Sequence, residues 1–432
     1  MASPVKRKGN LSLSSSANLL AYKAVFGLLT KVRPPVARPI RLGPESRVLV
    51  FSTAGLGDAL LDSAGINALA SEYPGIRIHA VVHHRRTDIA RHNPLLEKLH
   101  FLRKGPHAFL ALWWRLRKHG PWDAVLYLSC HDPEARCLGY LLAPDATVGL
   151  AWRTEMPWLC ARNIDDPGLR RAHLAVQAVR VAAEAGAAAA EGASAIGDGC
   201  LRSMGVSPVS GAAARCESLG LNRWDACSPC LNVSEMLPAA EARMVYEVAA
   251  EDRIALDRSL SGRGFPLRPG VIFQLGGGGG PYRDWPVEHF LKLAELAHAA
   301  GIGPVFLLGG PDHREKAGEF FAAAAGRNLP FFDVVGRLPL PQSAALLERS
   351  RCLVSTDTGI MHLAFALGTP TVALLHCSPG DARVGPLADR DRHVVIQIAK
   401  PAGYRVPSDA SMANLRPEDV FPGLKELFFR NA

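Results

Sequence analysis

LVSTDTGIMHLAFALGTPTVALL (Leu353–Leu375) reads as strand, turn, helix and strand in immediate succession. An apolar run stops at Asp357, Thr358 and Gly359, a helical pattern follows around Met361–Leu367, and TVALL (Thr371–Leu375) resumes as a strand. Short continuous apolar strands joined by helices belong to a parallel sheet covered on both faces. Outward from this unit the pattern repeats in VIFQL (Val271–Leu275), a helix over His289–Ala300, PVFLL (Pro304–Leu308), FFDVV (Phe331–Val335) and CLVST (Cys352–Thr356). The first half alternates likewise: RVLVF (Arg47–Phe51), a helical pattern from Asp58 to Tyr73, RIHAVV (Arg77–Val82) and DAVLYL (Asp123–Leu128), with the stretches between reading as helices. Two doubly wound α/β units are expected, with the site where the carboxyl ends of their strands face each other.

The chain has 432 residues and a mass of 46.3 kDa, more than one ordinary core. The expected division is a basic extension over 1–44, an N-terminal domain over 45–262 with insertion and linker at about 183–262, and a C-terminal domain over 263–432. Hydrophobic residues at 48% and charged residues at 21% exclude a disordered, collagen-like or coiled-coil chain. Apolar stretches are broken by charges or prolines before the length needed to span a bilayer. Nine scattered cysteines, an odd count, do not make a secreted disulfide framework, so a cytoplasmic setting is expected. In the Ala-, Gly- and Ser-rich segment, Cys200, Cys216, Cys227 and Cys230 contain a single CxxC; unpaired thiols are the plainer reading beside a zinc site.

The net charge of +9 is unevenly placed. Lys6, Arg7, Lys8, Lys23, Lys31, Arg33, Arg38 and Arg41 precede Glu45 with no acid among them, so only +1 remains for the folded body. A nucleic-acid-binding face is therefore not expected. Leu19, Tyr22, Val25, Phe26 and Leu29 recur at helical spacing, with Lys23, Gly27, Thr30 and Lys31 opposite. Two readings stand for this segment: a helix held at an anionic membrane surface, or a basic disordered tail. A secretory signal does not fit, because Lys23 interrupts the apolar region.

The turns after the strands carry the candidate chemistry. STAGLGDALL (Ser52–Leu61) places Gly55 and Gly57 at a helix start, where free amides favour anions, and Asp58 just inside it. A dinucleotide fingerprint fails: Leu60 stands at the third glycine, and the second strand ends in His83 and His84 rather than an acid. GGGGGPYRDWP (Gly276–Pro286) offers backbone amides at Gly276, Gly277 and Gly278, with Arg283 for phosphate oxygens. LLGGPDH (Leu307–His313) is a further strand ending in a glycine turn, with Gly309, Gly310 and His313. The chain has no GxxxxGK[ST] motif. Each feature also has a plain structural reading, as helix cap, flexible loop or packed histidine; the DTG turn with His362 three residues beyond Gly359 is the most specific.

Together these segments resemble glycosyltransferase family 9, the heptosyltransferases of lipopolysaccharide core assembly, over most of Arg47–Leu375. RVLVFSTAGLGDALL is similar to the family's opening strand and GD turn, and RHNPLLEKL (Arg91–Leu99) to its NP segment. VIFQLGGGGGPYRDWPVEHF is similar to its phosphate loop, and LLGGPD and DTGIMHLAFALGTPTVAL to its nucleotide-side motifs. The resemblance implies a GT-B fold: two facing Rossmann-like domains, acceptor in the N-terminal one and donor in the C-terminal one. It also implies inverting heptosyl transfer from an ADP-sugar with no cofactor and no catalytic metal. Asp58 would be the general base. Gly276, Gly277, Gly278, Arg283, Asp357, Thr358, Gly359 and His362 would meet the donor's phosphates and sugar. Gly309, Gly310 and His313 fall on the nucleoside side; His313 stands where the family commonly has an acid, and the pentaglycine where hydroxyl or alanine side chains are usual.

On the acceptor side, Gly55, Gly57, His83 and Arg85 are the candidates, with His84 and Arg86 beside them. They suit an anionic glycolipid or glycan, and the basic extension suits the inner-leaflet surface carrying it. Three alternatives remain open. The chain transfers another sugar or uses another acceptor, such as an O-antigen or secondary metabolite; it is a sugar-nucleotide epimerase; or it is a non-catalytic sugar-nucleotide-binding protein.

Overall fold

The computed structural model describes residues 13–84, 87–187, 222–223, 243–276, 280–327, 329–378 and 383–430. The N-terminal domain contains strands β1 (Arg47–Ser52), β2 (Arg77–His83), β3 (Lys98–Leu102), β4 (Ala124–Tyr127), β5 (Thr147–Leu150) and β6 (Arg162–Ile164). All are parallel, in the order β3-β2-β1-β4-β5-β6. After β7 (Asn222–Arg223), the C-terminal domain contains β8 (Val271–Gln274), β9 (Val305–Leu308), β10 (Phe331–Asp333), β11 (Cys352–Thr356), β12 (Thr371–Leu375) and β13 (His393–Gln397). Their order is β10-β9-β8-β11-β12-β13, with β7 added antiparallel beside β13. The order reverses beside β1 in one sheet and β8 in the other, which opens a crevice at each sheet's carboxyl edge.

The helices are α1 (Leu13–Val32), α2 (Leu56–Glu72), α3 (Thr87–Arg91), α4 (Pro106–His119), α5 (Pro133–Leu142), α6 (Pro167–Arg171) and α7 (Leu174–Ala187). Then follow α8 (Ala250–Ser261), α9 (Val287–Ala299), α10 (Arg314–Ala324), α11 (Leu340–Arg349), α12 (Gly359–Leu367) and α13 (Pro417–Arg430). Period-two alternation in β1 decides which helices lie where. Val48 and Val50 share a core with Leu60, Leu61 and Ala64 of α2 and Val176 and Val179 of α7. Leu49 and Phe51 face the other way, onto Leu112 and Leu116 of α4 and Leu138 of α5.

The contact between α2 and α7 is close because Gly65 has no side chain: a Cβ there would lie 2.6 Å from the Ala178 carbonyl oxygen. Backbone cannot yield as a side-chain tip can, so Gly65→Val is expected to cost about 3 kcal/mol, the upper part of the usual overpacking range. Thermal unfolding should show a melting temperature lower by several degrees; an unchanged value would contradict this packing.

Three sequence expectations need correction. The stretch between Val82 and Asp123 is not all helical, because KLHFL forms β3. This edge strand pairs on one side only, so its exposed Lys98 and half-buried neighbours disguise the apolar run. The extension is not a tail from Leu13 onward: α1 docks through Phe26 onto Cys137, Tyr140, Met156 and Leu159. Tyr140 Oη donates to the Arg33 carbonyl at 2.7 Å, and Ile40 enters the main core. The polar and apolar sides of α1 also differ from expectation, since Lys23 turns inward to Glu155 at 2.7 Å while Val25 and Leu29 are exposed.

Within the segment read as insertion and linker, α8 packs on α11 through Arg253–Glu348 and Arg349–Asp257. Cys200, Cys216, Cys227 and Cys230 lie outside the described residues. Among the described residues, no helix is long and apolar enough to cross a membrane.

Candidate active site at the domain junction

β1 ends at Ser52, and the chain turns through Thr53–Gly55 into α2. Gly55 N–H donates to Asp58 Oδ2 at 3.0 Å, so the carboxylate caps its own helix start. In the other domain β11 ends at Thr356, and α12 begins at Gly359 with Thr358 as its N-cap, Oγ1 accepting from Met361 N–H at 3.3 Å. The two helix starts meet. A Cβ on Gly57 would come 2.6 Å from Cδ2 of His362, and one on Gly359 would overlap the Leu56 side chain. Larger residues at either position would push the domains apart. Free amides and positive dipole ends therefore converge where Asp58 sits, an arrangement suited to a diphosphate.

Charged side chains of the C-terminal domain form a chain of contacts. Arg283 Nη1 lies 3.1 Å from Asp357 Oδ2, and His362 Nε2 lies 3.4 Å from Asp357 Oδ1. Asp357 thus holds the Arg283 guanidinium and the His362 ring at the mouth of the strand edge. The Arg283 guanidinium also stands over the Tyr282 ring at 5.6 Å, and Tyr282 meets His376 edge-on at 5.1 Å. Burial, and then the Arg283 charge, hold His376 below the ordinary histidine pKa. Thr356 Oγ1 donates to the Gly276 carbonyl at 3.0 Å and ties the glycine loop to β11. Gln274 Oε1 and His362 Nδ1 are buried with no hydrogen-bond partner among the described residues. Unsatisfied buried polar atoms at such a strand edge are what a bound ligand would complete.

His313 does not stand away from the phosphate loop. Its ring packs on Gly309 and occupies the space a Cβ on Gly276 would need, while its Nδ1 accepts from Gly310 N–H at 3.2 Å. The ring therefore bridges the ends of β8 and β9. On the acceptor side, His83 ends β2 at the same sheet edge as Ser52, with its ring centroid 4.4 Å from that of His84. Gly277, Gly278 and Arg85 lie outside the described residues. Among the described residues, no three His, Cys, Asp or Glu side chains are grouped as metal ligands.

Sequence reasoning missed two sets of residues. The first is Asp62, one turn after Asp58 and fully buried. It accepts from Ser52 Oγ at 2.6 Å and from Ser129 N–H at 3.1 and 3.0 Å. The Ser129 carbonyl in turn accepts from Thr53 and Ala54 N–H. Asp62 thus fastens the ends of β1 and β4 beneath the turn carrying Asp58. An acid inside the apolar run ALLDSAG was the available signal. The second is His131 with Arg153, 3.4 Å apart, where Arg153 also donates to Gln177 Oε1 at 3.2 Å. Burial and the Arg153 charge lower the His131 pKa, and nearby Asp58 pulls it back up. These side chains flank Asp58 from the strand ends of β4 and β5.

Burial pushes the Asp62 carboxyl up to about 7, with the Asp58 charge adding to it and the serine hydrogen bonds opposing it. Between about pH 4 and that value the folded chain keeps a proton that the unfolded chain has released, so stability is lost as pH rises through this window. Asp62→Asn removes that dependence. The melting-temperature advantage of wild type over the variant should shrink by several degrees from pH 5 to pH 8; a constant gap would show that Asp62 titrates like an exposed carboxylate.

Known proteins resemble this chain in sequence and in fold. Residues 233–408 match the family described as glycosyltransferase family 9 (heptosyltransferase). Lipopolysaccharide heptosyltransferase 2 of Escherichia coli (strain K12) is 32% identical over 172 residues, 38% of this chain and 48% of that protein. The chain thus spans about half the length of the curated relatives it matches. The glycosyltransferase family 9 structure from Veillonella parvula superposes with a TM-score of 0.67 at 17% identity, covering 91% of this chain and 100% of its own. The E. coli ADP-heptose lipopolysaccharide heptosyltransferase II structure superposes with a TM-score of 0.63 at 20% identity, covering 89% and 99%. These superpositions establish the two-domain GT-B fold. With the DTG turn and its histidine inside the matched segment, residues 233–408 are similar to glycosyltransferase family 9.

Proposed function

We propose that this chain is an inverting glycosyltransferase moving a heptose, or a related sugar, from an ADP-activated donor to a hydroxyl of a lipopolysaccharide-core or similar glycan. The observation that carries the reading is the junction itself: the helix start that carries Asp58 meets the one that carries the Asp357–His362 turn, through Gly57 on His362 and Leu56 on Gly359. Heptosyltransferase relatives and the name of the E. coli ADP-heptose enzyme support the donor.

In the reaction the acceptor oxygen bonds to the anomeric carbon as the bond from that carbon to the diphosphate breaks on the opposite face. The acceptor proton passes to Asp58, and the electron pair leaves with ADP. The leaving charge is met by Arg283, His362 and the first amides of α12. Among the chain's own residues nothing in this step calls for a metal ion or cofactor. His131 and Arg153 would orient an acidic acceptor beside Asp58, and the basic residues before Glu45 would hold the enzyme at the inner leaflet of the membrane, on its cytoplasmic side.

The test is a metal-free incubation with ADP-heptose and a heptose-lacking lipopolysaccharide core, followed by mass spectrometry and assignment of the new anomeric centre. Transfer with inversion supports the reading. Retention overturns the mechanism, and donor consumption without an acceptor favours an epimerase. A second reading, another nucleotide sugar on the same scaffold, is favoured by the His313 ring at Gly276 and Gly309.

A further inference from the structure

Helix α1 is an extra layer outside the three-layer N-terminal domain, and its outer side is unpartnered among the described residues. Phe26 faces inward, whereas Leu20, Val25, Leu28 and Val32 are exposed, Val32 at 87%. Ala21 and Ala24 are exposed between them, so from Leu20 to Val32 the outward side is largely apolar.

Next to α1 lies α4. Tyr22 and Phe109 approach to 6.1 Å, and both pack over the cluster that seats Phe26. On the solvent side of α4, Leu110 and Trp114 are one turn apart and exposed at 58% and 56%. Lys118 Nζ stands 5.4 Å from the Trp114 ring. Neither helix contains an acidic residue, while Lys31, Arg33, Arg115, Arg117 and Lys118 are all exposed around these apolar side chains.

Position adds a further argument. The helices α4 and α5 start at the carboxyl ends of β3 and β4, the sheet edge that carries Asp58. Tyr22 meets the first turn of α4 and feels the charge of Glu134 at the start of α5. Lys23 pairs with Glu155 in the loop after β5. The middle of α1, at Tyr22 and Lys23, therefore lies toward the sheet edge that carries Asp58.

We propose that the outer faces of α1 and α4 form an insertion surface for an anionic bilayer, with Leu28, Val32, Leu110 and Trp114 entering the interface and the basic residues meeting lipid headgroups. The proposal rests on the membrane-surface part of the reading above and assigns it to apolar side chains rather than to the basic segment alone. Apolar burial combined with attraction to anionic lipid is how interfacial helices hold to membranes, and exposed tryptophan suits the headgroup boundary. A second copy of the chain fits the face less well. A two-fold contact would bring two copies of one basic patch together, with no acid on either helix to pair with it.

Deleting 1–44 would also remove Phe26 and Ile40 from packed cores, so substitutions at exposed positions are the cleaner test. Full-length wild type and the Leu28→Asp/Trp114→Asp variant would be sedimented with vesicles of phosphatidylcholine alone and with added phosphatidylglycerol, at low and high salt. ADP titration and light scattering would accompany each protein. The expected result is wild-type binding to anionic vesicles that partly survives high salt, reduced about tenfold or more in the variant at unchanged ADP affinity. Equal binding by both proteins, stripped by salt, would overturn the insertion surface and leave a purely electrostatic membrane contact. No binding of wild type to either vesicle would overturn both. A wild-type dimer that becomes monomeric in the variant would assign the face to self-association and overturn the proposal.

Discussion

Asp58→Ala should lower turnover about 10³-fold, within the range for removal of a positioned general base, while ADP binds as it does to wild type. The split follows from what the carboxylate touches. Its Oδ2 accepts from Gly55 N–H within its own turn, and it belongs to the N-terminal domain, whereas Arg283, Asp357 and His362 belong to the other. Asp58→Asn keeps the shape without a basic oxygen pair and should lose nearly as much. The alanine variant also gives up a helix-start hydrogen bond, a loss of about 1 kcal/mol, so its melting temperature must be read beside its kinetics. Turnover near wild type in both variants would remove Asp58 from the mechanism.

Arg283→Ala should reduce turnover about 10²–10³-fold and weaken donor binding as well. Arg283 is largely buried, paired to Asp357 at 3.1 Å and supported by the Tyr282 ring. It is held in place before any ligand arrives, which is the condition under which a cation stabilises a leaving diphosphate most. Its removal also takes the guanidinium away from the Asp357 carboxylate, which would then repel a bound diphosphate, adding repulsion to the lost attraction. Arg283→Lys should recover only part of the loss, because an ammonium cannot reproduce the planar fork. Kinetics of both variants with the ADP-sugar would show it; an unaltered donor KM and turnover would place the leaving group elsewhere.

The sequence disclosed those parts of the molecule that depend on neighbours along the chain. RVLVF and TVALL are central strands buried on both sides, so they read as continuous apolar runs. The GD and DTG turns were legible because a strand end, a glycine and a helix start lie within a few residues. The edge strand β3 was missed because pairing on one side permits polar residues. Asp62 was missed because its partner Ser129 lies 67 residues away and meets it only when β4 lies beside β1. The seating of His313 against Gly276, and of Gly57 against His362, are likewise products of sheet order and domain apposition. Helix α1 shows the reverse: its helical period was plain, but which side docks depends on the Phe26 cluster and Glu155.

The central claim is a nucleoside diphosphate site at the junction of α2 and α12, serving a donor whose transfer Asp58 assists. Calorimetric titration of wild type and Asp58→Ala with ADP, UDP and GDP, each with and without magnesium, addresses it most directly. The account predicts that both proteins bind ADP with similar affinity, independently of magnesium, and bind UDP and GDP more weakly. Preference for UDP or GDP, or a requirement for the metal, would contradict it.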